Sequence, residues 1–165
     1  ISNHRDDQYG GSLENRMRFP LAVAKAVRAA WPAEFPLFVR ISATDWVPAG
    51  WDLEESIQLS IQLKSLGIDL IDCSTGGTAP DAVIPVGKGY QVPFASAIRE
   101  QAKIATGAVG IIVTGTQAEQ ILQDGHADLI FVARELLRDP YFPLHAAKEL
   151  GVDLQWPKQY ERAKR

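Results

Sequence analysis

A short apolar run followed by a longer amphipathic segment recurs four times along the sequence and limits the folds that the chain can adopt. Four such runs, rich in β-branched residues, occupy positions 37–42, 70–73, 110–113 and 129–132. Apolar residues at helical spacing follow each run. Strands that are apolar throughout and alternate with helices are typical of parallel sheets covered by helices. We therefore predict an α/β fold with four parallel strands.

Helix start and stop signals divide the rest of the chain. Asp52 with Glu55 and Thr116 with Glu119 each form a capping-box pattern, and Pro32 closes the first helical segment. The predicted helices cover about 13–31, 52–67, 94–105 and 116–125, and a last helical region at 134–150 is interrupted by Pro140 and Pro143. A polar loop at 1–12 precedes them, and a polar tail at 151–165 follows them.

Two architectures accommodate four strand-and-helix units. A doubly wound open sheet can be complete with four or five strands, whereas half of an eight-stranded barrel leaves its sheet open. The Gly-x-Gly-x-x-Gly fingerprint of dinucleotide-binding sheets follows none of the runs, and the first helix has no strand before it. We therefore favour residues 1–165 as half of a (β/α)₈ barrel.

Charge and cysteine content limit the classes of partner. The chain has 165 residues, a formal net charge of −3 and a single cysteine. Because there is no basic field, we expect neither a nucleic-acid partner nor an anionic membrane surface. Cys73 has no partner for an internal disulfide, and no apolar run reaches the length of a membrane span. We expect a cytoplasmic protein that acts on a small molecule.

Candidate ligand-binding residues follow the third and fourth runs. In folds of this kind, ligands bind at the carboxyl ends of the strands, and the last two loops of a barrel commonly hold a phosphate. Thr114 and Gly115 precede one helix, while Ala133 and Arg134 begin the next helical region. A glycine turn offers backbone amides to an anion, and an arginine offers a fixed positive charge. These four residues predict a phosphate site.

Structural roles compete with this interpretation. Gly115 has an ordinary explanation as a turn residue, and Thr116 has one as a helix cap. Arg134 has two acidic neighbours in sequence, Glu135 and Asp139, with which it could form a surface ion pair. The pairing of two candidate turns in successive units is what keeps the phosphate hypothesis open.

Arg40 lies inside an apolar strand run, where a charge without a partner is costly. Asp45 and Asp72 are its candidate structural partners, and ligand contact is the competing role. Cys73 is expected to fill space in the core rather than to react. The three histidines have no metal-ligand spacing.

Several segments resemble the Old Yellow Enzyme family. Their sequences are SNHRDDQYGGSLENR at 2–16, FVRIS at 38–42, GYQVPF at 89–94 and RELLRDP at 134–140. The QYER sequence at 159–162 is similar to the tail of the bacterial, NADPH-dependent subgroup. The resemblance extends over essentially the whole chain.

The resemblance implies a protein about twice this length, in which this chain supplies strands five to eight of a single (β/α)₈ barrel. The implied activity is ene-reduction: NADPH or NADH reduces FMN, which then reduces the activated C=C bond of an enone. The family's substrate-binding histidine pair and its proton-donating tyrosine would lie in the missing N-terminal half. No catalytic residue is therefore assigned to this chain, which we expect to be inactive alone.

The resemblance also assigns roles to individual residues. Arg40 corresponds to the arginine at the flavin's N1/O2 edge. Ala133 and Arg134 correspond to the Gly-Arg pair that holds the FMN phosphate, and Thr114 with Gly115 corresponds to the second phosphate turn. Arg162 corresponds to an arginine that crosses a dimer interface towards the neighbour's active site, so a homo-oligomer is expected.

Two other functions remain open at this stage. One is a non-catalytic half-barrel that assembles with a second copy or with its missing half. The other is the phosphate-binding barrel of an unrelated metabolic enzyme, which would leave the loop at 2–16 and the tail unexplained.

Overall fold

The computed structural model describes residues 1–164, in which four parallel strands form one open sheet. The strands are β1 (Phe38–Ser42), β2 (Leu70–Ser74), β3 (Ala105–Ala108) and β4 (Leu129–Ile130). Their order in the sheet is β1-β2-β3-β4, and each neighbouring pair is parallel. A doubly wound sheet reverses its strand order at a switch point, and this sheet does not. Sequential order of this kind is the order of neighbouring strands in a barrel wall.

The helices follow the predicted segments with shifted ends. They are α1 (Leu13–Ala30), α2 (Leu53–Ser65), α3 (Val92–Ala102), α4 (Gly115–Gln123), α5 (Arg134–Arg138) and α6 (Phe142–Glu149). Asp52 caps α2 as predicted, since its side chain accepts from the amide of Glu55 at 2.9 Å. The cap of α4 is Thr114 rather than Thr116, with its Oγ1 accepting from the amide of Gln117 at 3.1 Å. The predicted helical region at 134–150 is divided into α5 and α6.

The strand predicted at 110–113 is wrong. Gly110 has φ 125° and Ile111 has φ 52°, so neither residue has extended backbone, and the true strand β3 lies earlier, at Ala105–Ala108. The helix predicted to end near 105 ends at 102, and Lys103 follows in a left-handed conformation with φ 54°. β4 is likewise shorter than the predicted 129–132. β3 has the sequence Ala-Thr-Gly-Ala, which contains no run of large apolar residues, so the sequence pattern did not indicate a strand there. Gly107 leaves room for the ring of Phe131, which packs against it.

The two faces of the sheet differ. The helix-facing side carries the core, in which Ile71 and Cys73 of β2 are fully buried. Side chains alternate along a strand, so Phe38, Arg40 and Leu129 lie on the opposite side. Phe38 and Leu129 are 43% and 44% exposed there. The helices therefore cover only one face, and apolar side chains remain exposed on the other, which we call the concave face.

The tail predicted at 151–165 is mostly irregular, with a short 3₁₀ helix at Glu161–Ala163. The Tyr160 ring packs edge-on to Tyr141 at 5.9 Å, and Lys164 forms an ion pair with Asp153 at 2.5 Å. Arg165 lies outside the described residues. Within residues 1–164, no helix is long and apolar enough to cross a membrane.

Candidate functional site

A cavity of about 280 Å³ opens beyond the carboxyl ends of β3 and β4. Two backbone segments form most of its wall: residues 109–113, which follow β3, and residues 131–135, which follow β4. Tyr90, Gln91 and Arg138 complete the lining. This is the end of a parallel sheet at which ligands bind.

The segment after β3 presents backbone amides. Gly110 has φ 125°, and a Cβ there would lie 3.1 Å from Gln91 Nε2 and 3.2 Å from the Tyr90 ring, so this position requires glycine. Ile111 follows at φ 52°, an unusual conformation for a β-branched residue. Within residues 1–164, the amides of Gly110, Ile111 and Ile112 donate to no protein acceptor. Successive free amides in a turn of this kind are suited to binding an anion.

The segment after β4 contributes the predicted pair Ala133 and Arg134. Ala133 has φ −119°, so an alanine Cβ meets no left-handed strain there. Both acidic neighbours that could have paired with Arg134 are occupied, since Glu135 pairs with Arg138 at 2.5 Å and Asp139 with His145 at 2.7 Å. No carboxylate among residues 1–164 lies within 4.0 Å of the Arg134 guanidinium. The surface ion pair of Arg134 with Glu135 or Asp139, which the sequence left open, is therefore not present.

The predicted turn at Thr114 and Gly115 is already occupied by a side chain. Glu149 of α6 accepts from the amides of Gly115 at 2.9 Å and Thr116 at 3.0 Å, and from the Thr116 hydroxyl. These hydrogen bonds, that of the Thr116 side chain first, lower the pKa of Glu149. A Cβ on Gly115 would lie 2.8 Å from Ala146, which explains the glycine by packing. The amide of Gly115 is therefore already paired with a side chain, and the turn whose amides are unpaired within residues 1–164 lies earlier, at 110–112. The phosphate role expected of Thr114 and Gly115 stays a prediction.

Arg40 lies on the concave face, away from the cavity lining. Its Nε donates to Asp72 Oδ2 at 2.7 Å, so the second of its two candidate partners is the observed one. The Arg40 side chain is 57% exposed, whereas that of Asp72 is 10% exposed. β1 and β4 lie at opposite edges of the sheet, three strand spacings or roughly 14 Å apart. Only an elongated ligand could contact both Arg40 and the cavity beyond β4.

The remaining candidates lie elsewhere. Arg162 is exposed in the 3₁₀ helix of the tail, and nothing within residues 1–164 fixes its role. Cys73 is fully buried, and burial raises the pKa of its thiol to about 12, in agreement with a space-filling role.

Sequence reasoning missed the turn at 110–112. The run Ile111-Ile112-Val113 looks like a strand, because apolar periodicity does not report φ. The available signal was Gly110, since a glycine beside a strand pattern often marks a close backbone approach.

The sequence matches the NADH:flavin oxidoreductase / NADH oxidase family over residues 1–153. It is 56% identical to an NADPH dehydrogenase of Bacillus velezensis and 55% identical to one of Halalkalibacterium halodurans, each over 163 residues. Each alignment covers 99% of this chain and 47% of the relative. The chain therefore spans about half the length of the curated relatives it matches.

Solved structures of other enzymes superpose on this chain. A 2-naphthoyl-CoA reductase in complex with 2-naphthoyl-CoA superposes with a TM-score of 0.79 at 28% identity, covering 92% of this chain and 23% of the reductase. Morphinone reductase in complex with tetrahydroNAD superposes with a TM-score of 0.67 at 26% identity, covering 95% of this chain and 40% of that enzyme. With a family match over nearly its whole length and a parallel sheet that ends in an anion-suited cavity, the chain belongs to the Old Yellow Enzyme family of flavin oxidoreductases.

Proposed function

We propose that this chain supplies the phosphate end and one ring edge of the FMN site in an NAD(P)H-dependent ene-reductase, as strands five to eight of a (β/α)₈ barrel. The observation that carries the proposal is the cavity beyond β3 and β4, where amides without an acceptor lie beside a cation without a carboxylate partner, as far as residues 1–164 are concerned. An FMN phosphate carries the negative charge that such a site binds best.

The types of residue that line the cavity suit a phosphate monoester. The amides of Gly110, Ile111 and Ile112 can donate to its oxygens from one wall, and the Arg134 guanidinium can donate from the other. Ala133 has no side chain to obstruct the approach, and its negative φ removes the objection to alanine in place of glycine. This proposal replaces Thr114 and Gly115 with the turn after β3.

Arg40 is the residue that we assign to the flavin ring of the cofactor. Its position at the opposite edge of the sheet suits the pyrimidine edge of the flavin ring, because the ribityl chain separates that ring from the phosphate. Asp72 holds the Arg40 Nε and leaves the other guanidinium nitrogens available on the concave face. A positive charge at N1/O2 favours the reduced, anionic ring.

When bound, FMN supplies hydride transfer from NAD(P)H to the β-carbon of an activated alkene. The chain's own residues bind and orient the cofactor, and we assign the substrate-binding and proton-donating groups to the N-terminal half of the barrel. On this proposal, Arg162 reaches the neighbouring subunit's active site in a homo-oligomer. The 165-residue chain alone is then inactive.

The replacement Arg134→Ala tests the phosphate assignment in the full-length polypeptide. We expect FMN binding to weaken by about 1.5–3 kcal/mol, the range for a hydrogen bond to a charged group. Riboflavin, which lacks the phosphate, should bind the variant and the wild type equally well. Fluorescence titration of both flavins measures this difference. Equal losses for FMN and riboflavin would remove the phosphate role of Arg134.

A non-catalytic half-barrel is the second candidate, and the exposed Phe38 and Leu129 on the concave face favour it. Such a chain would pair with a second copy or with its missing half. Intact mass, flavin absorbance and NADPH oxidation in the presence of cyclohexenone distinguish the two functions. Turnover by a sample whose only polypeptide has the mass of these 165 residues would refute the assignment of the catalytic groups to another segment.

A further inference from the structure

The peptide groups that carry the free amides after β3 are hydrogen-bonded to the protein through their carbonyl oxygens. Three successive carbonyl oxygens of this turn accept hydrogen bonds from the protein. Gln91 Nε2 donates to Val109 at 3.3 Å, the amide of Gly89 donates to Gly110 at 2.8 Å, and Gln117 Nε2 donates to Ile111 at 3.1 Å.

The geometry of the peptide bond links these carbonyls to the amides. In a trans peptide, the C=O of one residue and the N–H of the next point in opposite directions, and the described chain has no cis peptide bonds. Fixing the carbonyls of residues 109, 110 and 111 therefore turns the amides of residues 110, 111 and 112 the other way. Those amides are the three that have no protein acceptor within residues 1–164.

Gln91 is itself fixed in orientation. Its side chain is buried, and Oε1 accepts from the Thr75 amide at 2.6 Å and from the Thr75 hydroxyl at 2.8 Å. Because the backbone amide of Thr75 can only donate, the Gln91 atom that faces it is the oxygen, and Nε2 therefore faces Val109. Gln91 thus ties the loop after β2 to the turn after β3.

Gln117 holds the other end of the turn. It lies in the first turn of α4, where Oε1 accepts from the Val113 amide at 3.1 Å while Nε2 donates to Ile111. A single side chain therefore bridges both sides of Ile112. The bridge also supports Ile111 in its left-handed conformation, which a β-branched residue does not favour by itself.

We propose that Gln91 and Gln117 are positioning residues for phosphate recognition, acting through the backbone of residues 109–113 rather than by touching the ligand. The inference rests on the proposed FMN site. It predicts that affinity for the phosphate of the cofactor depends on two glutamine amides, each of which bonds to the protein through both its oxygen and its nitrogen.

The test compares FMN with riboflavin in the full-length polypeptide carrying Gln91→Met or Gln117→Met. Methionine has a similar length and cannot donate to the carbonyl, so the turn can rotate. We expect the preference for FMN over riboflavin to fall by up to about tenfold in each variant, the effect of a lost hydrogen bond. Gln123→Met is the matched control for Gln117→Met, because Gln123 is exposed on the same helix and, among the described residues, its side chain bonds only to Glu119.

The possible outcomes distinguish the role of Gln91 and Gln117 from the proposed FMN site itself. A reduced preference in both variants with an unchanged control supports the inference. If the wild type prefers FMN strongly and both variants retain that preference, the inference is wrong and the proposed FMN site stands. If the wild type binds riboflavin as tightly as FMN, the proposed phosphate site fails and the inference fails with it. Equal losses of both flavins reveal a general structural role and also overturn it. Should Gln91→Met not fold, the half-buried Gln117 provides the same test.

Discussion

Gly107 is the position at which one added methyl group should disturb both the sheet and the candidate phosphate cavity. A Cβ built on Gly107 would lie 2.0 Å from Phe131 Cε2, whereas ordinary contacts begin near 3.4 Å. The ring edge must therefore retreat by about 1.4 Å in Gly107→Ala. Phe131 also lines the cavity beyond β3 and β4, so this movement alters the cavity wall.

The magnitude follows from two opposing effects. Overpacking of this kind costs about 1–3 kcal/mol of unfolding free energy. Alanine also restricts the unfolded chain, which returns about 0.4–1 kcal/mol. Gly87→Ala isolates the second effect, because a Cβ there meets nothing within 4 Å and its φ is not positive. We expect Gly107→Ala to be less stable than Gly87→Ala by about 1–3 kcal/mol.

Urea unfolding followed by tryptophan fluorescence measures this difference in the full-length polypeptide, and an FMN titration measures the effect on the cavity. A difference below about 0.5 kcal/mol between the two variants would refute the packing argument, because surface-like substitutions produce effects of that size. Lower stability with unchanged FMN affinity would instead separate Phe131 from the ligand site.

Three further predictions concern the concave face and the core. Arg40→Met should lower the flavin midpoint potential, because a positive charge at the ring edge favours the reduced ring. Arg99→Met is the control, since it removes another arginine paired with an aspartate and should leave the potential unchanged. Cys73 should resist a thiol reagent at pH 8 until the protein is unfolded, since burial raises its pKa to about 12; labelling at the same rate before and after denaturation would contradict this. Leu63→Ala, at a fully buried position, should cost about 2–5 kcal/mol in urea unfolding, against under about 1 kcal/mol for the exposed Ile61→Ala on the same helix; equal costs would show that the core is placed wrongly.

The alternation of strands and helices could be predicted from local sequence, because that pattern depends on neighbouring residues. The Asp52 cap with the amide of Glu55 was predictable for the same reason, since both partners lie within one helical turn. Arg40 stood out because a charge in an apolar run requires an explanation. Asp72, its observed partner, was one of two aspartates that the sequence alone could not separate.

Contacts between distant segments of the chain determine which turn has amides available to an anion. From sequence, Thr114 and Gly115 looked like the anion-binding turn, yet Glu149, 34 residues beyond Gly115, accepts from the amides of Gly115 and Thr116. The turn after β3 looked like a strand, because the signals that orient its amides come from Gln91 and Gln117, in other segments of the chain. Hydrophobic periodicity reports which face of an element is buried, whereas the direction of a backbone amide depends on the hydrogen bonds its peptide makes with residues distant in sequence. For this reason, the fold class could be predicted from local patterns, while the position of the candidate phosphate site could not.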